Sequence, residues 1–242
     1  MIRRPPRSTL DRSSAASDVY KRQAKGRDKY IKPLYDEAKS RQLYHFDHDA
    51  PDDKDLVLKK KFQGSFEDEI DKFESDYILN WDLTNVYLGK QLAEWLSLGY
   101  DIRKQNHKMQ PNDNTPKVNK MIQSVPLEDD GRTGLITWQP PFHHIPYHLD
   151  VLASTGLEPE KTIKDGYRVL IFLTDWWPGE YMIWGNTTIN HWKAGDVLAW
   201  PAFKYPHGTC NISHHTGYRV RLSGLGGDAF REWIASDDIL DV

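Results

Sequence analysis

Two short segments in the C-terminal half of the chain carry residues whose types and spacing fit a metal site. His148 and Asp150 stand two positions apart, and alternate side chains of an extended segment share one face. A further histidine, His207, follows 59 residues after His148, a gap that leaves room for several strands. Two imidazoles and one carboxylate form the facial triad that binds one non-haem Fe(II) and leaves the opposite coordination positions open. We therefore predict that His148, Asp150 and His207 bind iron.

Other histidines fit this role less well. The sequence contains a second His-x-Asp, His45–Asp47, but the polar residues that follow it indicate a loop. His144 stands four residues before His148, a spacing that would suit a metal site on a helix. Pro140 and Pro146 argue against a helix here, because proline lacks a backbone donor and clashes with the preceding turn. We interpret His144 as part of a loop that lines the mouth of the site.

The segment from Tyr218 to Ser223 alternates apolar and polar side chains, and its polar face carries Arg219, Arg221 and Ser223. In a barrel, the apolar face would point outward under covering helices and the guanidinium groups would point inward. A buried arginine is unfavourable unless an anion pairs with it. A dicarboxylate would supply that anion and would bind a guanidinium fork and a serine hydroxyl. The alternative is that the polar face is exposed to solvent.

The N-terminal half of the chain is mostly polar and contains helical patterns. Ser65–Asp68 is a capping box, and near-helical apolar spacing predicts a second helix between Asp82 and Gly99. We predict that residues 24–130 form a helical and irregular region that packs on the core.

Strand-like runs dominate after Gly131, and glycine and proline turns separate them. The runs are Thr133–Gln139, Tyr167–Trp176, Tyr181–Trp184, Thr187–Trp192, Asp196–Trp200, Thr209–Ile212 and Gly217–Ser223. Many short strands with such turns are typical of a β sandwich or barrel. We predict a mainly β core over residues 131–227, followed by a short C-terminal helix and tail over 228–242.

The first 23 residues differ from the rest of the chain. Ser17–Gln23 resembles the translation of a transposon-end sequencing adapter, and we interpret residues 1–23 as an adapter-derived, disordered segment. This segment holds six basic and two acidic residues, so the net charge of −3 for the whole chain leaves −7 on residues 24–242. An acidic body disfavours nucleic acid as a partner, because non-specific binding depends on a basic surface.

The composition excludes several classes of protein. A single cysteine, Cys210, excludes an internal disulfide framework and a zinc site built from several thiolates. No apolar run reaches the roughly 18 residues that a membrane span needs, and the first residues lack the apolar centre of a secretory signal. We therefore expect a cytoplasmic protein without a membrane partner.

Several segments together resemble one enzyme family. Arg168–Gly179, Asn190–Val197, Pro206–His207 and Tyr218–Gly224 resemble the 2-oxoglutarate/Fe(II)-dependent oxygenases often seen in phages and marine metagenomes. The resemblance covers residues 131–227 and implies a double-stranded β-helix of the jelly-roll or cupin type, with Fe(II) on the three predicted ligands. It also implies a dioxygenase that hydroxylates a C–H bond and forms succinate and CO₂. A phage-encoded protein would act in the host cytoplasm.

The resemblance further implies that an arginine of the last strand holds the distal carboxylate of 2-oxoglutarate. In the family this arginine commonly stands a little earlier, where the present chain has Thr216–Gly217. Two arginines follow that position. We favour Arg221, because it forms an Arg-x-Ser pattern with Ser223, and we keep Arg219 as the alternative.

Two other functions remain open at this point. A cupin-type metal dioxygenase or isomerase would keep the fold and the metal but would not use 2-oxoglutarate. A metal-free jelly-roll module for binding, or for a virion, would keep only the fold. For the favoured function the partners are dioxygen and a small molecule or side chain as substrate. Neither the identity of that substrate nor the oligomeric state follows from the sequence.

Overall fold

The computed structural model describes residues 57–73, 95–97, 99–101, 106–129, 132–148, 150, 165–185, 187–202 and 205–241. The chain forms two compact units, residues 1–45 with 82–100 and residues 46–81 with 101–242. The predicted adapter segment lies outside the described residues. The helix predicted between Asp82 and Gly99 lies mostly outside them, and its described part includes the helical residues 95–97.

Twelve strands and three helices with assigned bounds are described in the second unit. The strands are β1 (Val57–Lys60), β2 (Phe62–Gln63), β3 (His107–Met109), β4 (Thr133–Gln139), β5 (His143–His148), β6 (Gly166–Phe172), β7 (Glu180–Trp184), β8 (Thr187–Ile189), β9 (Asp196–Pro201), β10 (His207–Asn211), β11 (Gly217–Leu225) and β12 (Leu240–Asp241). The helices are α1 (Glu67–Phe73), α2 (Pro116–Ser124) and α3 (Asp228–Ala235). None of the helices among the described residues is long and apolar enough to cross a membrane.

Two antiparallel sheets form the body of this unit. The larger sheet has the strand order β1-β9-β6-β11-β4-β3, the smaller has the order β5-β10-β7-β8, and β12 pairs with β2 in a separate parallel pair. From β4 to β11 the chain passes repeatedly between the larger and the smaller sheet. This is the topology of a double-stranded β-helix, so the predicted mainly β fold is confirmed.

Two hydrophobic clusters show how the larger sheet is buried on both faces. In β6, Leu170 and Phe172 belong to the cluster between the sheets, whereas Val169 and Ile171 belong to the cluster that includes helix residues. A strand covered on both faces is nearly continuously apolar, as β6 is from Val169 to Phe172. Val220 of β11 lies in the outer cluster. The polar side chains that alternate with it therefore face the space between the sheets.

Helix α2 begins without a local side-chain cap and is capped instead by Glu69 of α1. The Glu69 carboxylate is buried and accepts hydrogen bonds from the backbone N–H groups of Lys117 at 2.7 Å and Val118 at 3.1 Å. The hydroxyl of Thr115, at the N-cap position, contacts Asn112 instead. A carboxylate at a helix N-terminus satisfies free N–H groups and interacts favourably with the helix dipole.

We expect Glu69→Ala to lower the free energy of unfolding by about 2 kcal/mol, because it leaves buried N–H groups without acceptors. Glu69→Gln should lower the free energy of unfolding by roughly half as much, since the amide keeps one acceptor oxygen. Urea unfolding of the purified variants measures both effects. Ser124→Ala removes only an exposed hydrogen bond to the carbonyl oxygen of Lys120 at the end of the same helix; it is the control and should change stability by less than about 0.5 kcal/mol. An equal loss in Glu69→Ala and Ser124→Ala would contradict the capping role.

Candidate metal centre

Two neighbouring strands of the smaller sheet bring the predicted histidines together. His148 is the last residue of β5 and His207 is the first residue of β10, and they face each other across the ladder. Their ring centroids lie 4.6 Å apart. The ladder shifts register directly after this pair, where Gly208 packs closely on β5. A side chain at Gly208 would approach the carbonyl oxygen of Ile145 to 3.0 Å.

Asp150 completes the cluster predicted from the sequence. The ligand atoms of the three residues all lie within 4.8 Å of one another. Asp150 Oδ1 lies 3.8 Å from His148 Nε2, and Asp150 Oδ2 lies 3.6 Å from His207 Nε2. Asp150 Oδ2 is buried and has no hydrogen-bond partner among the described residues. A divalent cation between the imidazoles would satisfy this oxygen, so the donor set fits a metal ion.

The backbone fixes which nitrogen of each imidazole faces the cluster. The Nδ1 atom of His148 lies 2.7 Å from the carbonyl oxygen of Pro146, and the Nδ1 atom of His207 lies 3.2 Å from that of Tyr205. A carbonyl only accepts, so each Nδ1 carries the proton and each Nε2 keeps its lone pair. Metal-binding histidines are usually held in this way by a hydrogen bond at the other ring nitrogen.

The protonation states suit metal binding at neutral pH. Burial lowers the pKa of His148 below its ordinary value and lowers the pKa of His207 to about 3. Burial alone would raise the pKa of Asp150, but Arg168 and the two histidines outweigh it and hold that pKa well below the usual range. The imidazoles are therefore neutral and the carboxylate is ionised, which are the forms that ligate a metal.

These shifts predict how the metal-free protein responds to acid. Because the pKa of His207 falls from 6.5 to about 3 on folding, protons bind preferentially to the unfolded chain below pH 6.5. The stability linked to His207 is thus present above about pH 6.5 and is lost as the pH falls towards 3. We expect urea unfolding midpoints of the metal-free protein to decline over this window, and to decline less steeply in His207→Gln. The exposed His214→Gln control should follow the wild type, and an unchanged slope in His207→Gln would contradict the prediction.

Basic side chains form one wall of the cavity beside the cluster. The cavity has a volume of about 90 Å³, and its lining includes Lys108, Arg168, Arg219 and Arg221 together with the predicted ligands. Burial, followed by the neighbouring Arg168, lowers the pKa of Arg221 to about 10. Among the described residues no hydrogen bond or ion pair engages the Arg221 guanidinium, and the Asp150 carboxylate favours its charged form only from a longer distance. This part of the cavity therefore suits an anion.

Arg219 differs from Arg221 because its guanidinium already has a hydrogen-bond acceptor. Its Nη2 donates to Gln139 Oε1 at 3.1 Å, and the carboxylate of Glu180 faces it and favours its charged form. Glu180 is buried, which raises its pKa. Gly217 leaves the space for this carboxylate, since a Cβ at that position would collide with Glu180 Oε1.

Ser223 contacts a residue that the sequence reasoning missed. Its hydroxyl accepts a hydrogen bond from Nη1 of Arg168, and Nη2 of the same guanidinium lies 2.7 Å from Asp150 Oδ1. Ser223 does not line the cavity, in contrast to Arg219 and Arg221. The sequence signal that could have indicated this contact is Arg168 itself, a charged residue near the start of the otherwise apolar strand β6.

The predicted N-terminal region also contributes to the cavity. Asn106, which directly precedes β3, and Lys108, within β3, line the cavity, and β3 pairs with β4. Burial, followed by Arg221, lowers the pKa of Lys108. The sequence offered no motif at these positions, because an isolated lysine in a polar segment looks like any solvated side chain.

Comparison with known proteins identifies the fold. No protein-family model matches the sequence, and no curated protein matches it. A prolyl hydroxylase from Trichoplax adhaerens, solved in complex with a hypoxia inducible factor oxygen degradation domain peptide fragment, is similar in structure with a TM-score of 0.50 and 12% identity, over 88% of this chain and 96% of that chain. A Pseudomonas putida prolyl-4-hydroxylase gives a TM-score of 0.43 and 10% identity, over 81% of this chain and 98% of that chain. At 12% identity the first similarity shows a shared fold.

Proposed function

We propose that this protein is a non-haem Fe(II)- and 2-oxoglutarate-dependent dioxygenase that hydroxylates a C–H bond of its substrate. The observation that carries the proposal is the convergence of His148, Asp150 and His207 on one buried point beside the Arg221 guanidinium, which makes no hydrogen bond or ion pair within the described part of the chain. A facial triad alone would fit several metal enzymes. The additional cation in the cavity favours an organic acid as cosubstrate.

The proposed reaction balances, because the two atoms of dioxygen end in two different products. The substrate R–H, dioxygen and 2-oxoglutarate give R–OH, succinate and CO₂, with one oxygen atom in the new hydroxyl and the other in succinate. Fe(II), when bound, supplies the open coordination positions at which dioxygen and the 2-oxo acid meet. The protein supplies the three ligands, the orientation of the cosubstrate and a cavity that excludes water.

Arg221 is proposed to pair with the distal carboxylate of 2-oxoglutarate. The planar guanidinium can form two parallel hydrogen bonds with a carboxylate, and a bound anion would relieve the repulsion between Arg221 and Arg168. Arg219 is the alternative partner, but it already donates a hydrogen bond to Gln139, and the nearby Glu180 carboxylate favours its charged form. Ser223 is proposed to contribute through its contact with Arg168.

Apolar side chains from both sheets complete the lining of the cavity. Leu170, Met182 and Trp200 line it next to the ligands, and the Trp200 ring meets the His207 ring edge-on at a centroid distance of 5.2 Å. These side chains are buried. They limit the access of water to the reacting groups, which strengthens electrostatic interactions inside the site.

Anaerobic calorimetry of 2-oxoglutarate binding, followed by a screen for succinate release, tests the proposal. We expect one equivalent of 2-oxoglutarate to bind to the Fe(II)-loaded protein and much less to the metal-free protein. Small-molecule and peptide substrates are then screened for succinate release with dioxygen, with His207→Ala as the inactive control. Stoichiometric iron binding without 2-oxoglutarate binding would instead favour a cupin-type dioxygenase or isomerase. Absence of iron binding would favour a metal-free binding module.

A further inference from the structure

Arg168 makes a double contact that connects the carboxylate of the cluster to the last strand of the barrel. It lies on β6 directly opposite Ser223 of β11 in the ladder. Nη1 donates to the Ser223 hydroxyl, and Nη2 forms an ion pair of 2.7 Å with Asp150 Oδ1. All three residues are largely or fully buried, with side-chain exposures of 8% for Arg168 and 13% for Asp150. The guanidinium is therefore held by a strand neighbour while it holds the carboxylate.

The two oxygens of Asp150 have different surroundings. Oδ1 receives the Arg168 guanidinium, whereas Oδ2 is buried, has no hydrogen-bond donor among the described residues and lies 3.6 Å from His207 Nε2. Asp150 itself follows β5 and belongs to no strand. The backbone ladder that orients His148 and His207 therefore does not orient Asp150, and the described contact that fixes its carboxylate is the one with Arg168.

We infer that Arg168 is a positioning residue that holds Oδ1 of Asp150 and thereby keeps Oδ2 turned towards Nε2 of His207, where a metal would bind. The inference rests on the proposed function, because it assumes a metal at His148, Asp150 and His207. A carboxylate that is already oriented by a neighbouring group does not have to be ordered by the metal, so the metal binds more tightly than it would to a free carboxylate.

A different role for Arg168 makes the opposite prediction. If the guanidinium only offset the charge of Asp150, its removal would leave a more strongly donating carboxylate, and a divalent cation would bind more tightly. If it positions the carboxylate, its removal leaves Asp150 to be ordered by the metal, and the metal binds more weakly. Arginine also differs from lysine here, because only the planar fork can reach Asp150 and Ser223 together.

Titration with Co(II), followed by its visible absorption spectrum, separates these roles without any turnover. We expect Arg168→Met to weaken Co(II) binding about 10–100-fold, the range seen when a partner of a metal ligand is removed, and to change the spectrum. Arg168→Lys should restore part of the affinity, and Ser223→Ala should show a smaller loss in the same direction. Lys61→Met is the control, since Lys61 is a buried cation that donates to the carbonyl oxygen of Trp233, remote in sequence from the cluster.

The outcomes distinguish the inference from the proposed function. Weaker Co(II) binding and an altered spectrum in Arg168→Met, with Lys61→Met unchanged in both, support the positioning role even if both variants lose thermal stability. Unchanged or tighter Co(II) binding in Arg168→Met would overturn the positioning role of Arg168 but would leave the proposed metal site intact. If the wild type itself binds no Co(II), the proposed metal site is wrong, and the inference falls with it.

Discussion

His207→Ala should abolish stoichiometric Fe(II) binding, and His148→Ala and Asp150→Ala should do the same. Each removal leaves two ligands, which form too weak a chelate to compete with water for Fe(II). Anaerobic calorimetry with Fe(II) measures the stoichiometry directly. Asp150→Ala also leaves Arg168 buried without its partner, which destabilises a protein by about 3–5 kcal/mol. The two histidine variants therefore report on the metal more cleanly.

The matched control for these variants is His144→Ala. His144 lies on the same strand as His148 but outside the cluster of ligand atoms. The His144→Ala variant should retain the iron stoichiometry and affinity of the wild type. His45→Ala should do the same; His45 lies outside the described residues. Full iron affinity in His207→Ala would show that the metal is held by other residues, and the assigned triad would have to be abandoned.

The cluster itself was predictable from the sequence because local rules position its parts. Alternation along an extended segment predicted that His148 and Asp150 share one side, although β5 ends at His148 and Asp150 follows it outside the strand. β5 and β10 then need only to be neighbours for His207 to join them. The inward polar face of β11 was predictable for a similar reason. The apolar side chains that alternate with the polar ones, such as Val220, pack in the outer cluster beneath the helices, so the polar ones must face inward.

The path of the chain just before the cluster was predicted wrongly. Pro140 and Pro146 led us to interpret the segment around His144 as a loop, but His143–His148 forms strand β5. The reason is the position of this strand. β5 lies at the edge of the smaller sheet, and an edge strand tolerates proline because one row of its backbone groups has no partner in the sheet.

The role of Arg168 could not be predicted because its contacts are tertiary. Its two partners, Asp150 and Ser223, lie 18 and 55 positions away in the sequence, and they meet only when β6 pairs with β11. A local pattern shows that a charge interrupts an apolar strand. It does not show which buried group compensates that charge. The Arg-x-Ser pattern led us to assign Ser223 to the cosubstrate, whereas its described contact is with Arg168.

Arg221→Ala should weaken 2-oxoglutarate binding by about 2–5 kcal/mol, the usual cost of truncating one partner of a buried, hydrogen-bonded charge pair. This corresponds to roughly 30-fold to several-thousand-fold in affinity. The physical reason is that the distal carboxylate would enter a partly desolvated cavity without its cationic partner. Arg221→Lys should recover only part of the affinity, because an ammonium group cannot form the planar fork.

Iron binding provides the internal reference for this prediction. Arg221 is not among the ligand atoms of the cluster, so Arg221→Ala should bind Fe(II) with the wild-type stoichiometry while 2-oxoglutarate is lost. Arg219→Ala is the paired variant. Its guanidinium is already engaged by Gln139 and faces Glu180, so we expect a smaller effect on 2-oxoglutarate affinity than in Arg221→Ala.

The reverse order of the two effects would transfer the cosubstrate role to Arg219. Wild-type affinity in both variants would remove the support for a 2-oxo acid cosubstrate and would favour a cupin-type metal enzyme.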